Sequence, residues 1–255
     1  DFKGYILDVG GPTANMYAIE CAKKMKSGAC PDKRCLYPQI CPVLQINHAR
    51  QIELLRQVRA IPGIRKVSVG SGIRYDMVLA DKACGMEYLG EIVRYHTSGQ
   101  LKIAPEHADP VILNLMGKPS VESLLKFKEK FDTLSRKAGR EQYLTYYLIA
   151  AYPGCSDREM KSLRKFVSTN LHVNPEQVQV FTPTPSTYAS VMYYTEKDPF
   201  TGAPLYIEKN LHKKAAQKEI LVHRSQNPLP SRARAEKPFK QTKPAYRRRG
   251  ENARK

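Results

Sequence analysis

Four cysteines, Cys21, Cys30, Cys35 and Cys41, fall within 21 residues of a 255-residue chain. Thiolates bind zinc tetrahedrally or hold iron–sulfur clusters, and four is the number of ligands either site needs. The spacing Cys21-x8-Cys30-x4-Cys35-x5-Cys41-Pro42 matches neither the paired CxxC of a zinc ribbon nor a ferredoxin run. Cys21 stands apart from the other three and is either the fourth ligand or a bystander. Iron–sulfur and zinc both fit these residue types, with a loop of unpaired thiols as the plain alternative. Lys33 and Arg34 would offset thiolate charge in either case. Cys84 and Cys155 have no partner by spacing and are expected to be small packed residues.

A second set of candidates lies where apolar runs stop at turn-forming joints. These are Gly10-Gly11-Pro12-Thr13, Gly70-Ser71-Gly72-Ile73-Arg74, Ala104-Pro105-Glu106-His107 and Pro153-Gly154-Cys155-Ser156. Without Cβ atoms, Gly10 and Gly11 let backbone N–H groups approach a carboxylate or phosphate, although an ordinary turn would use them too. Glu106 is placed for a ribose or amino-group contact, whereas His107 reads as a satisfied structural residue. Lys118 precedes the helix cap Ser120 and would face the same mouth, unless it is simply solvated.

These joints require a scaffold of alternating strands and helices. Strands are predicted at residues 5–9, 66–69, 101–103, 143–151 and 178–181. The run 143–151 is apolar enough to be buried on both faces. Helical repeats follow Asn47 (apolar Ile52, Leu55, Val58), occupy 86–95, and follow Ser120 (Leu124, Phe127, Phe131, Leu134) as far as Gly139. Ser156 and Glu159 form a capping box before Met160, Leu163, Phe166 and Val167. A last helix is expected at about 207–223. Strands separated by helical crossovers give a parallel sheet whose ligands gather at the carboxyl ends of the strands. The expected architecture is therefore α/β, a partial (β/α) TIM-type barrel whose opening strand lies upstream of Asp1. The cysteine-rich insertion spans 18–46, the barrel 1–206, and a C-terminal helix 207–225.

The charge of +18 is uneven. Residues 226–255 hold ten Lys/Arg against Glu236 and Glu251, a net +8, in a Pro- and Arg-rich stretch without the apolar content to fold. A polyanion such as nucleic acid is the partner this tail implies, a solvated extension being the alternative. No apolar run is long enough to span a bilayer, and no secretory leader is visible, so a cytoplasmic protein without a membrane partner is expected.

Taken in order, the joints resemble the strand ends of the radical SAM superfamily. Gly10-Gly11-Pro12-Thr13 is similar to its GGEP motif, without the Glu, and Ser71 to Asp76 to its S-x-R-x-D joint. The stretch from Leu101 to His107, followed by Leu115-Met116-Gly117-Lys118, resembles its E-S…L-x-x-M-x-K segment, and Pro153-Gly154 its PG-E-T turn. Within the superfamily the likeness is closer to the YgiQ family. It is carried by Asp8 to Tyr17, Cys30, Cys35, Cys41-Pro42, Gly139 to Leu144, Gln177-Val178-Gln179 and Met192 to Thr195, and covers about residues 4–225. The resemblance implies S-adenosylmethionine (SAM) as cofactor and a 4Fe-4S cluster that cleaves it reductively to a 5′-deoxyadenosyl radical, acting on an unknown substrate. It implies Gly10, Gly11, Pro12 and Thr13 at the amino-acid moiety and Ser71 and Arg74 near the polar end. Glu106 would then reach the ribose or amino group, and Phe181 and Thr182 the adenine. Cys21, Cys30, Cys35 and Cys41 would hold a second metal centre, an iron–sulfur cluster or zinc. The signature CxxxCxxC is absent from the sequence. It is expected upstream, so the chain reads as a fragment inactive alone. A basic RNA-binding protein and a zinc-stabilised non-catalytic domain are the competing readings.

Overall fold

A computed structural model describes residues 2–31, 34–175 and 178–222. The basic segment 226–255, Lys33 and Gln177 lie outside these residues. Five strands and nine α-helices follow one another in the described chain. The order is β1 (Tyr5–Ile6), α1 (Ala22–Ser27), α2 (Ala49–Ala60), β2 (Lys66–Val67), α3 (Tyr75–Ala80), α4 (Gly85–Glu91) and β3 (Gln100–Glu106). It continues with α5 (Pro110–Met116), α6 (Val121–Lys137), β4 (Tyr143–Ala150), α7 (Asp157–Phe166), β5 (Val178–Val180), α8 (Tyr188–Thr195) and α9 (Leu211–Leu221).

Every strand pairing is parallel. β1 pairs with β2 in a two-stranded sheet, and β3, β4 and β5 pair in that order in a three-stranded one. The chain beyond β2 links the two sheets. Val69 N donates to His96 O at 2.9 Å, Ile73 N donates to Lys102 O at 3.1 Å, and Ile73 bridges Ile103 in parallel. Among the described residues the strands do not close into a barrel, and β1 pairs only with β2. Tyr5 and Leu7 beside that edge are exposed.

The expected helical stripes bury where their spacing requires. Ile52 and Leu55 of α2, Leu124, Phe127 and Phe131 of α6, and Met160 and Leu163 of α7 all enter the core with the alternate residues of β3 and β4. Ser156 caps α7 as a complete box: its hydroxyl accepts from Arg158 N, and the Glu159 carboxylate accepts from Ser156 N.

Three expectations change. β4 is not buried on both faces. Leu144, Tyr146, Leu148 and Ala150 are buried while Thr145, Tyr147 and Ile149 are half-exposed, because only one face of the strand points wholly into the core. The last helix begins at Leu211 rather than near 207, because the Asn210 side chain accepts from His212 N and Lys213 N and fixes the first turn there. Helices α1, α3, α5 and α8 were not expected, although Asp109-Pro110 is an N-cap followed by a proline at the first helical position.

Candidate functional site

A cavity of about 160 Å³ opens where β3 ends, between the joints that follow β1 and β2. Pro12, Thr13, Arg74, Asp76, Glu106 and Lys118 are among the residues lining it. Glu106 terminates β3 in the left-handed region, with φ +65°, a conformation that costs a side-chain-bearing residue about 1–2 kcal/mol. Lys118 reaches the same point from the end of α5. Gly117 ends that helix at φ +67°, its N–H donating to Asn114 O, and turns the chain back over the strand end. Lys118 Nζ then lies 2.7 Å from Glu106 Oε1 and donates to Ala104 O at 3.2 Å.

Arg74 is held from behind by the buried Asn15. Asn15 Oδ1 accepts from Arg74 N at 2.7 Å, and Asn15 Nδ2 donates to Arg74 O at 2.9 Å. With its backbone fixed on both sides, the Arg74 guanidinium meets both carboxylate oxygens of Asp76. The cavity wall thus carries two cations and two carboxylates, already paired. A ligand bearing both an ammonium and a carboxylate can exchange partners with this set without leaving a charge unmatched.

Gly10, Gly11 and Ser71 do not line this cavity; Asp8 explains their arrangement. Its carboxylate accepts from Gly70 N at 2.8 Å, from Ser71 N at 3.1 Å and from the Ser71 hydroxyl. Burial works to raise the Asp8 pKa, but the Ser71 hydroxyl and the two amides outweigh it and hold the carboxyl below its usual range. A Cβ at Gly10 would sit 2.6 Å from Asp8 Oδ1 and 2.7 Å from Ser71 Cβ, whereas one at Gly11 would meet nothing within 4 Å.

At the end of β5 the Phe181 ring packs edge-on to Tyr152 at 5.2 Å and tilted to Tyr193 at 5.8 Å, and Thr182 is exposed. Lys214, itself buried, lies over the Tyr193 ring and donates to Phe181 O at 3.4 Å. Neither Phe181 nor Thr182 belongs to the cavity beside Glu106.

The cysteine loop folds onto its own small core of Ile19, Cys21, Leu44 and Met77. Cys21 precedes α1, and Cys41 N donates to Cys35 O at 2.8 Å, which folds the loop back. Cys21, Cys30, Cys35 and Cys41 all line one cavity of about 130 Å³, together with Lys23 and Lys24. Beside it a wider groove of about 710 Å³ runs between Cys41 and an aromatic cluster that the sequence did not signal. There the Arg34 guanidinium carbon lies 4.5 Å from the Tyr37 ring centre and 4.6 Å from that of Phe200. Phe200 is far from Arg34 and Tyr37 in sequence, and no local spacing could have joined it to them.

Two histidines have structural partners. His107 Nδ1 accepts from Asp109 N at 2.9 Å, and Nε2 lies 3.5 Å from Cys155 Sγ. His48 stacks on Tyr88, and its Nδ1 lies 2.7 Å from Asp81 Oδ2, which also accepts from His48 N.

A family model described as "Domain of unknown function (DUF3362)" matches residues 176–236. A UPF0313 protein of Fusobacterium nucleatum is 57% identical over 226 residues, 89% of this chain and 40% of the relative. UPF0313 proteins of Methanosarcina mazei and Thermotoga maritima are 45% and 47% identical, over 88% and 87% of the chain and 35% and 39% of their own lengths. The chain therefore spans two fifths or less of these curated relatives, and over 87–89% of its own length it is similar to a stretch of UPF0313 proteins.

Proposed function

We propose that the mouth beside Glu106 binds the amino-acid end of S-adenosylmethionine in the complete protein, a radical SAM enzyme of the YgiQ type. In this reading the five parallel strands are part of a (β/α) barrel. The observation that carries it is the meeting of Thr13, Arg74 and Glu106, from three separate strand-end joints, with Lys118, from the end of α5, around one cavity. Arg74 and Lys118 supply donors for a carboxylate, and Glu106 and Asp76 acceptors for an ammonium group. The cavity, about 160 Å³, accepts part of such a ligand. The nucleoside would extend along the strand ends toward Phe181 and Thr182, with Gly10 and Gly11 at the opposite rim. Bound there, SAM would supply radical chemistry once a 4Fe-4S cluster of the complete protein gave it an electron and methionine was released. The residues of this chain orient the ligand and exclude water around it.

The test is SAM binding by the complete, anaerobically reconstituted protein. Replacing Glu106 with Gln removes one charged acceptor while keeping the side-chain shape, and is expected to weaken binding about tenfold or more. Unchanged affinity would overturn the placement. The ten Lys/Arg of residues 226–255 favour a second reading, in which the chain binds RNA through this segment. Salt-sensitive RNA binding, lost when 226–255 are deleted, would support it.

A further inference from the structure

Arg34 sits among aromatic rings where two grooves meet. Its guanidinium carbon lies 4.5 Å from the Tyr37 ring centre, 4.6 Å from that of Phe200 and 5.9 Å from that of Tyr188. We infer that these grooves bind a small-molecule substrate whose carboxylate or phosphate group is held by Arg34 and Tyr152. Calling the ligand a substrate rests on the proposed SAM reading; the anion site itself rests on the geometry around Arg34.

Arg34 is fixed before any ligand arrives. Its backbone bridges that of Tyr37, whose hydroxyl donates to Asn114 Oδ1 of α5. Gly117, at the end of the same helix, leaves room for the guanidinium. A Cβ there would sit 2.8 Å from Arg34 Nη1 and 3.6 Å from Tyr37 Cγ. Aromatic faces attract a guanidinium but leave its fork of N–H donors for an oxyanion. Arg74 and Lys118, the cations of the neighbouring mouth, are already paired with Asp76 and Glu106. The Arg34 side chain, by contrast, has neither an ion pair nor a hydrogen bond among the described residues.

Tyr152 supplies a second donor. It is only 7% exposed, and its hydroxyl has no hydrogen-bond partner among the described residues. Unlike the sealed hydroxyl of Tyr88, it opens to a groove of about 440 Å³ that Arg34 also lines. Burial raises the Tyr152 pKa, Glu106 adds to the rise and Arg34 opposes it. The hydroxyl therefore keeps its proton for donation, and it lies within electrostatic reach of both charges.

The two sites adjoin. Gly117 lines the groove, and the next residue, Lys118, lines the mouth beside Glu106. Adjacent binding is what a reaction between two bound ligands requires. On the other side of Arg34, Pro38, Ile40 and Val43 line the wider groove of about 710 Å³ and offer apolar walls to the rest of the molecule. Mostly apolar walls with a few convergent polar groups are the usual form of a small-molecule site.

The experiment titrates the complete, anaerobically reconstituted protein with phenyl phosphate and with benzoate by isothermal calorimetry. Benzyl alcohol, which lacks the charge, and inorganic phosphate, which lacks the ring, are the controls. At least one of the two aromatic anions should bind saturably with a dissociation constant of about 1 mM or below, and both controls about tenfold more weakly. Which anion binds tells a carboxylate site from a phosphate site. Arg34→Gln should weaken binding about tenfold or more. Tyr152→Phe, which keeps the ring packed on Phe181, should weaken it about three- to tenfold. SAM affinity should be unchanged in both variants. No saturation by either anion, full binding by either variant, or inorganic phosphate bound as tightly as phenyl phosphate would overturn the assignment. So would an equal loss of SAM affinity, which would merge the two sites. Glu106→Gln should keep the aromatic anion, so the SAM reading can fail while the anion site stands, and the reverse.

Discussion

Cys155 Sγ lies 3.5 Å from His107 Nε2, and Asp109 N donates to the other ring nitrogen. That second contact decides what the pair can do. Because Nδ1 accepts, Nε2 carries the proton of a neutral imidazole and points it at the sulfur. An imidazolium would turn an N–H against the Asp109 amide. Burial pushes the thiol up to about 12 and His107 down to about 4, both toward the neutral forms. A thiolate–imidazolium nucleophile needs the reverse. At pH 8 iodoacetamide should therefore label the exposed Cys35 in the metal-free chain and leave Cys155 unlabelled, as read by peptide mass spectrometry. Rapid labelling of Cys155 in folded protein would contradict this account.

The same histidine makes stability depend on pH. Its folded pKa of about 4 lies below the ordinary 6.5, so the unfolded chain takes up the proton first. The stabilisation is complete above pH 6.5 and is lost as the pH falls toward about 4. The urea midpoint should drop over this window, and His107→Gln should flatten the drop while lowering stability at pH 7. An equally steep slope in the variant would assign the titration to another group.

Ser156 and Glu159 provide a separable acid effect. Burial works to raise the Glu159 pKa, but hydrogen bonds from the Ser156 hydroxyl and Arg158 outweigh it and bring the carboxyl down to about 2, against an ordinary 4.5. Its contribution is present above pH 4.5 and disappears as the pH falls through about 2. Ser156→Ala should cost about 1 kcal/mol at pH 7 by chemical denaturation. It should also raise the Glu159 pKa measured by carboxyl NMR; an unmoved value would show that Arg158 and the Ser156 amide set it without the hydroxyl.

The two adjacent glycines should behave differently. Gly10→Ala places a methyl against Asp8 and Ser71 and is expected to cost about 1–3 kcal/mol, the usual range for overpacking. Gly11→Ala enters open space and should change stability by no more than about 0.5 kcal/mol. If Gly11 faces bound SAM, its alanine variant will bind SAM more weakly at unchanged stability. Equal destabilisation by both would mean that the joint is packed differently from the arrangement around Asp8.

Much of the scaffold was legible because its signals are local. The Ser156–Glu159 box, the stripe of Leu124, Phe127 and Phe131, and the parallel order of the strands all follow from spacings within one or two elements. Helix α8 escaped because its sequence, Tyr188 to Thr195, is apolar nearly all round and shows no face, and only Met192 of it is fully buried. Within the mouth, spacing placed Arg74 and Glu106 at strand ends and Lys118 just ahead of the helix after Ser120, and the structure joins them. It could not reveal that Asp8 occupies Ser71, or that Asn15 clasps the Arg74 backbone, because those contacts cross 63 and 59 residues of chain. The Arg34–Tyr37–Phe200 cluster was hidden for the same reason.

Along β1 the backbone groups facing away from β2 have no strand beside them among the described residues, and the neighbouring Tyr5 and Leu7 side chains lie open. A bare ribbon edge of this kind is a template for intermolecular pairing. Handled at high concentration, the isolated polypeptide will tend to zip onto copies of itself there, and a lysine introduced at Leu7 is the smallest change that would keep it dispersed.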